Sequence, residues 1–267
     1  MIGMEIIVLP TADVAVRAAA IVTEALGNAR AGEAKASGTL GLATGSSPLG
    51  LYRELARAQG SGQLDLTRVH GFALDEYVGL PDGHPQSYRE VLTREVCGPV
   101  GLDPANLHVP DGSGNRLDEL VAAAAAYEDS IQELGGIDVQ ILGIGSNGHI
   151  GFNEPGSSLS SRTRVKRLSD RTRLDNARFF ARPEDVPTHS VTQGLGTILE
   201  AQALVLVATG LAKAAAVAAA VEGPLTASCP ASVLQWHARA WVVVDEAAAT
   251  GLRNREYYAE AAAGLDG

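Results

Sequence analysis

Short apolar runs and longer alanine-rich segments alternate along this chain of 267 residues. Each short run is bounded by Gly, Pro or Asp, as is typical of strands in a parallel sheet that is covered on both faces. The six runs that we predict to be strands are Glu5–Leu9, Thr39–Ala43, Val69–Leu74, Val139–Gly143, Ala203–Ala208 and Ala240–Asp245.

The segments between these strands have helical character. Leu117–Leu134 is the clearest, because its apolar residues recur at helical spacing and Gly135 and Gly136 end the pattern. The other predicted helices are Thr11–Leu26, Leu49–Ala58 and Leu211–Val221. Strands that alternate with helices indicate βαβ units. We therefore predict a single α/β domain over residues 1–267, with a three-layer α/β/α architecture and an open, mostly parallel, Rossmann-like sheet.

Composition narrows the classes of function. Hydrophobic residues make up 46% of the chain, which is enough for a full core, and the formal net charge is −10. A chain with this charge and no long Lys/Arg run is not expected to bind nucleic acid. No stretch approaches the roughly 20 apolar residues of a membrane helix, and we recognise no signal peptide. Cys97 and Cys229 lie far apart, which predicts neither a zinc site nor a disulfide framework and favours the cytoplasm.

The loop after Thr39–Ala43 carries Thr44, Gly45, Ser46 and Ser47. Ligands of open α/β sheets bind at the carboxyl ends of the strands. The hydroxyl groups, together with the free N–H groups at the start of the next helix, form a candidate anion site. An ordinary serine cap of that helix is the alternative.

Two adjacent carboxylates, Asp75 and Glu76, follow Val69–Leu74. Crowding or burial of carboxylates raises their pKa, and a raised pKa suits a general base. A pair of solvated acids in a turn remains the alternative.

The segment from Gly143 to Gly148 matches the G-x-G-x-x-G spacing of dinucleotide-binding loops. We reject that interpretation, because Gly, Asn and Pro follow within a few positions and no helix begins there. The loop does hold His149, with Asn147 before it and Glu154 after it. A histidine near a carboxylate in such a loop is a candidate acid or base, although a structural histidine is also common.

A long segment from Gly145 to about Pro187 shows little periodicity. Loops of this length in compact domains are usually functional, so we predict a lid over residues 157–187. Arg178 lies in this segment, and Lys213 follows the strand Ala203–Ala208. Each of these two cations, taken alone, would be an ordinary surface residue.

Taken together, these segments resemble the glucosamine-6-phosphate deaminase family over nearly the whole chain. The ordered set of motifs is specific, although each block alone is weak. The blocks include Ala43-Thr44-Gly45-Ser46-Ser47-Pro48, Leu74-Asp75-Glu76-Tyr77-Val78-Gly79-Leu80, Gly148-His149-Ile150-Gly151-Phe152-Asn153-Glu154-Pro155, Ser161-Arg162-Thr163-Arg164 and Arg178-Phe179-Phe180.

The resemblance implies the conversion of glucosamine 6-phosphate and water to fructose 6-phosphate and ammonia, without a metal or an organic cofactor. It implies that Asp75 moves a proton between C2 and C1 of the opened sugar. It further implies that His149 assists ring opening and that Glu154 supports His149. The residues that it assigns to the phosphate are Thr44, Gly45, Ser46, Ser47, Arg178 and Lys213. In terms of enzyme class we expect a hydrolase of amino-sugar catabolism with isomerase-like chemistry.

Asn147 stands where some members of the family carry Asp. An amide orients a neighbouring histidine by hydrogen bonding, but it cannot stabilise an imidazolium as a carboxylate does. We therefore expect Glu154 to be the charge partner of His149.

Two other functions compete with this interpretation. A 6-phosphogluconolactonase-like hydrolase would share the general fold and a Gly-His loop, but the block from Asp75 to Leu80, with Arg178 and Lys213, argues against it. A non-catalytic sugar-phosphate sensor would normally carry a DNA-binding module, and we recognise none.

Some members of the family are hexamers that N-acetylglucosamine 6-phosphate activates. The residues that match the activator site are Ser157, Ser158, Arg164, Lys166 and Tyr257. In an extended segment Arg164 and Lys166 point the same way, which suits a second phosphate pocket. A homo-oligomer follows from this interpretation, and a solvated basic strand edge is the alternative.

Overall fold

The computed structural model describes residues 3–32 and 37–263. The predicted domain also includes residues 1–2, 33–36 and 264–267, which lie outside the described residues. Seven strands form one parallel sheet in the order β1-β10-β9-β6-β2-β3-β5. Their bounds are β1 Gly3–Leu9, β2 Thr39–Leu42, β3 His70–Ala73, β5 Leu107–His108, β6 Val139–Leu142, β9 Ala203–Ala208 and β10 Arg239–Asp245.

Six of these strands are the predicted apolar runs, so the predicted parallel sheet is confirmed. Every residue of β2, β6 and β9 is buried. Strands buried on both faces read as continuous apolar runs, which explains why they stand out in the sequence. β5 was not predicted, because it has two residues and lies at the edge of the sheet.

Helices flank this sheet, and α1 contacts β1, β6, β9, β10 and the second helix. None of the helices in the described ranges is long and apolar enough to cross a membrane. The helix bounds are α1 Thr11–Gly32, α2 Leu49–Gly60, α3 Tyr88–Leu92, α4 Gly98–Val100, α5 Leu117–Glu133, α6 Asp170–Asn176, α7 Leu195–Leu199, α8 Ala214–Val221 and α9 Arg255–Ala263.

A second, antiparallel sheet was not predicted. It contains β4 Asp75–Tyr77, β7 Arg164–Arg167 and β8 His189–Thr192 in the order β4-β8-β7. Helix α5 covers it, with Leu120 and Ala124 packed against Val191. Since only Leu74 separates β3 from β4, the chain passes from one sheet to the other directly before Asp75.

The predicted lid, residues 157–187, contains more regular structure than its sequence pattern indicates. It holds β7, α6 and two 3-10 turns, Ala177–Phe179 and Pro183–Asp185. β7 pairs with β8, so one part of the segment is anchored in the small sheet. The part from α6 onward lies beside the pocket described below.

Candidate active site

A pocket of about 510 Å³ opens at the carboxyl ends of four neighbouring strands, β9, β6, β2 and β3. Loops that follow these strands supply most of its wall, and α6 with the turn after it supplies the rest. The predicted site residues that line it are Thr44, Gly45, Ser46, Ser47, Asp75, His149, Arg178 and Lys213. Asn147 and Glu154 stand behind His149.

Asp75 lies at the point where the chain leaves the parallel sheet, and it pairs with Thr192 of β8. Burial raises the pKa of Asp75 well above its usual range, and the neighbouring charge of Glu76 adds to the shift. Gly151 has φ +54°, and a Cβ there would lie 3.5 Å from Asp75 Oδ2 and 3.1 Å from Thr192 Oγ1. The glycine therefore leaves the space beside the carboxylate open.

Glu76, next to Asp75, has a different role. Its Oε1 accepts the N–H groups of Tyr77 and Tyr88 at 2.8 and 3.0 Å. Its Oε2 accepts the Ser87 hydroxyl at 2.8 Å and the Arg89 N–H at 3.1 Å. Glu76 thus caps the start of α3, so the structure gives the paired carboxylates different surroundings.

Behind His149, a chain of hydrogen bonds runs through Asn147 to Glu154. The Asn147 Oδ1 lies 2.7 Å from His149 Nδ1, and the Asn147 Nδ2 donates to Glu154 Oε2 at 2.8 Å. Ser169 at the start of α6 donates to Glu154 Oε1 through its N–H and its hydroxyl, at 3.1 and 2.9 Å. Glu154 Oε2 is 3.9 Å from His149 Nδ1, so Asn147 makes the direct contact to the imidazole.

This arrangement fixes the protonation of the imidazole. An amide oxygen only accepts hydrogen bonds, so His149 Nδ1 carries a proton and, in the neutral ring, Nε2 is free to accept one. Burial lowers the pKa of His149, Lys213 lowers it further, and the Glu154 charge opposes the shift. Burial would raise the pKa of Glu154, but the hydrogen bonds from Thr172, Ser169 and Asn147 outweigh it and lower the pKa.

The pocket also holds the groups that were predicted to bind an anion. Gly45, with φ +94°, turns the loop that presents Thr44, Ser46 and Ser47. Lys213 Nζ donates to the carbonyl of Ile144 at 2.6 Å. Burial lowers the pKa of Lys213, an effect that Asp175 opposes and Arg178 reinforces.

Several residues of the pocket were not predicted from the sequence. Asp175 and Arg171 lie one helical turn apart on α6 and form an ion pair, with Arg171 Nε 3.2 Å from Asp175 Oδ1. Asn176 Nδ2 donates to the Tyr77 hydroxyl at 3.1 Å, and Tyr88 packs against Tyr77. The i,i+4 spacing of Arg171 and Asp175 was the available signal, but it does not tell which face of α6 meets the pocket.

The residues matched to the activator site are partly brought together. Arg164 and Lys166 lie on the same face of β7, and Arg164 Nη2 is buried without a hydrogen-bond partner. The buried Ser157 hydroxyl also has none, and the Ser158 hydroxyl lies 3.2 Å from that of Ser160. Tyr257 is exposed on α9, which packs against β1.

Both cysteines, Cys97 and Cys229, are buried and free. Cys229 supports the active-site loop, since a Cβ on Gly148 would lie 2.7 Å from its Sγ. In the described ranges, no group of three or more His, Cys, Asp or Glu residues is placed to hold a metal ion.

The motifs and the pocket agree with a comparison to known families. The model for glucosamine-6-phosphate isomerases/6-phosphogluconolactonase matches residues 10–243. The chain belongs to this family.

The similar proteins and solved structures include both activities that the family description names. A glucosamine-6-phosphate deaminase from Arthrobacter sp. (strain FB24) is 56% identical over 255 residues, which are 96% of this chain and 95% of that protein. The structure of a monomeric glucosamine-6-phosphate deaminase superposes with a TM-score of 0.86 at 36% identity, and the match covers 93% of this chain and 100% of that one. A 6-phosphogluconolactonase from Trypanosoma brucei shares the fold, with a TM-score of 0.74 at 18% identity over 94% and 100% of the two chains.

The expected enzyme class needs a correction. The sequence led us to expect a hydrolase, and that assignment is wrong, because the relatives that match most of this chain at high identity are deaminases. Their reaction is that of a deaminase and isomerase. The lactonase structure, at 18% identity, shows similarity of fold alone.

Proposed function

We propose that this member of the family converts glucosamine 6-phosphate and water to fructose 6-phosphate and ammonia. The observation that carries the proposal is that Asp75, a carboxylate with a raised pKa, lies in the same pocket as His149 and a set of positively charged groups that can bind an anion. The 56% identity to a glucosamine-6-phosphate deaminase over nearly the whole chain supports it.

His149 performs the first step, the opening of the sugar ring. Its Nε2 accepts the proton of the C1 hydroxyl and returns a proton to the ring oxygen, so that C1 becomes an aldehyde. Asn147 holds Nδ1–H, and the Glu154 charge, 3.9 Å away, stabilises the transient imidazolium. Asn147 thereby acts as a positioning residue.

Asp75 performs the second step. Its carboxylate removes the proton from C2 while the aldehyde oxygen at C1 takes up a proton, which gives an enolamine. Asp75 then returns its proton to C1 as the amine nitrogen loses one, which leaves a hydroxyl group at C1 and a C=N bond at C2. Water adds to this bond, the C–N bond breaks, and ammonia and fructose 6-phosphate are released. Burial raises the pKa of Asp75, which favours proton uptake by its carboxylate.

Ammonia and fructose 6-phosphate production by the purified protein tests this function. Glucosamine 6-phosphate is expected to give the two products in equal amounts, and unphosphorylated glucosamine to be turned over far more slowly. A control reaction offers 6-phosphogluconolactone. Hydrolysis of the lactone without ammonia release from the amino sugar, or binding without turnover of either, would overturn the proposal.

The segment 157–187 is part of this proposal as a lid. It carries Arg178 to the pocket, and α6 contacts the body through Ser169–Glu154 and Asn176–Tyr77. The exposed Leu174 and Phe179 lie on the segment and can be covered when it closes. Closure would exclude water during proton transfer.

Hydrogen exchange measures lid closure. Amides from α6 to Phe180 are expected to exchange more slowly when a non-reactive phosphosugar analogue is bound. β7, which is paired in the small sheet, is expected to change little and serves as the internal control. Equal exchange in the free and bound protein across 168–187 would contradict the lid.

We further propose that N-acetylglucosamine 6-phosphate activates a homo-oligomer, with a hexamer as one alternative, through Ser157, Ser158, Arg164 and Lys166. Buried polar atoms without a partner on Ser157 and Arg164 support a ligand there, because such groups cost free energy until they are paired. Tyr257, which is exposed on α9, is proposed to join this site from a neighbouring subunit.

Initial rates with and without N-acetylglucosamine 6-phosphate, beside sedimentation of the protein, test the regulation. The substrate curve is expected to be sigmoidal and to become hyperbolic with activator, with a coupling free energy of about 1–3 kcal/mol. Arg164→Ala should remove the response and leave the activated-state kcat in place. A monomer with hyperbolic kinetics that ignore the activator would refute it.

A cytoplasmic location belongs to the same proposal. The two free cysteines fit a reducing compartment. Fractionation of the native cells, with the protein traced by antibody, tests it.

A further inference from the structure

A carboxylate lies among the cations of the pocket. Asp175 on α6 lines the wall, and its side chain is 39% exposed. Its Oδ2 accepts the Ser146 hydroxyl at 3.1 Å, and its Oδ1 lies 3.2 Å from Arg171 Nε. Ser146 belongs to the loop after β6, so Asp175 joins α6 to the loop that also carries His149.

Three elements contribute cations that line the pocket together with Asp175. α6 contributes Arg171, the turn after it contributes Arg178, and Lys213 follows β9. The imidazole of His149 faces Lys213 and Asp175 from the loop after β6. A negative charge at this position stabilises the cations while no anion is bound, and it opposes the binding of a phosphate to the same cations.

We propose that Asp175 is the internal counter-charge of the phosphate end of the pocket, which keeps Lys213 and Arg171 ordered in the empty site and weakens the hold on the phosphate. This inference rests on the proposed function, since it takes the Lys213 end of the pocket to bind the phosphate of the substrate. Asp175 acts through these neighbours as a positioning residue. Both substrate and product carry the phosphate, so a weaker hold favours release of the product.

The two effects of Asp175 separate with pH. Where Lys213 keeps its proton, removal of the Asp175 charge loses the ordering of the cations but also removes the repulsion of the phosphate, and we expect the second effect to be larger. At alkaline pH this balance shifts. Burial lowers the pKa of Lys213, Asp175 opposes that shift, and Arg178 reinforces it. Without Asp175, Lys213 therefore loses its proton at a lower pH, and the cation disappears from the site earlier as pH rises.

Inorganic sulfate is the probe for this test, because it is a dianion throughout the pH range used. Its Kd is measured by protein-observed NMR titration between pH 6.5 and 9.5. The variants are D175N, the charge-retaining D175E, and Lys213→Ala. Asp170→Asn is the matched control, because Asp170 is exposed in the first turn of the same helix and does not line the pocket.

At pH 7, D175N is expected to bind sulfate about threefold to tenfold more tightly than the unmodified protein, a modest change because Asp175 is partly exposed. Above pH 9 that advantage is expected to shrink or reverse. D175E and Asp170→Asn should follow the unmodified protein at every pH. The KM for glucosamine 6-phosphate should fall with the sulfate Kd in D175N at pH 7.

The outcomes separate the inference from the proposed function. If Lys213→Ala leaves sulfate binding unchanged, the phosphate end is misplaced and the proposed binding mode fails. The counter-charge inference fails, and the proposed function stands, if Lys213→Ala weakens sulfate binding but D175N binds sulfate no more tightly than Asp170→Asn at any pH. Thermal unfolding of each variant identifies any loss of binding that comes from misfolding.

Discussion

Asp75→Asn is expected to lower kcat by about 10²–10⁴-fold, because the amide cannot take the proton from C2. The KM should change little, since the residues proposed to bind the phosphate stay in place. The base form of Asp75 exists above its raised pKa and is lost as pH falls through that pKa. The acid limb of kcat/KM should therefore lie above the ordinary carboxyl range, and in the variant it should disappear.

Asp82→Asn is the matched control for this substitution, since Asp82 is an exposed residue of the following loop and does not line the pocket. It removes one charge and should keep the kcat of the unmodified protein. Steady-state rates of ammonia release over pH 4–10, with circular dichroism of each variant, make the comparison. A folded Asp75→Asn enzyme with near-normal kcat would remove Asp75 from the mechanism.

Lys213→Ala is expected to raise the KM for glucosamine 6-phosphate by about 10-fold to 150-fold, which corresponds to about 1.5–3 kcal/mol for a charge-assisted hydrogen bond. The Nζ atom already donates to the Ile144 carbonyl, so the ammonium is held in the wall of the pocket. Arg178→Ala should act in the same direction. The slow reaction with unphosphorylated glucosamine should be nearly unaffected by either change.

Arg57→Ala provides the control, because Arg57 is an exposed cation of α2 that pairs with Glu54 away from the pocket. Kinetics of the variants on both sugars are compared at one ionic strength, since salt screens exposed charges. An equal loss on the phosphorylated and unphosphorylated sugars would contradict a role in phosphate binding.

The parallel sheet was readable from the sequence because its strands are buried on both faces and leave continuous apolar runs, as in Ala203–Ala208. The antiparallel sheet was not. β7 reads Arg-Val-Lys-Arg and β8 reads His-Ser-Val-Thr, and neither has the apolar content that marks a strand. Their pairing depends on α5 covering Val191, a contact that no local pattern reveals.

The candidate site also contains residues that the sequence predicts and residues that it does not. Asp75, His149 and Lys213 were predictable because each follows a recognisable strand, and the topology then brings the ends of these strands together. Asp175 belongs to α6, and its approach to the pocket depends on how the lid segment folds back. The bridging position of Asn147 between His149 and Glu154 depends on side-chain geometry, which spacing along the chain does not fix.

The pairing of β1 with β10 has a consequence for synthesis on the ribosome. Among the strands of the described ranges, β1 pairs with β10 alone, in register from Gly3–Arg239 to Leu9–Asp245. Asp245 also accepts the N–H of Gly210 at 3.0 Å, directly before the turn that carries Lys213. Because contacts this distant in sequence form late, a nascent chain stalled before β10 should not retain the phosphosugar. We therefore expect substrate affinity to appear only after β10 has been synthesised and has paired with β1.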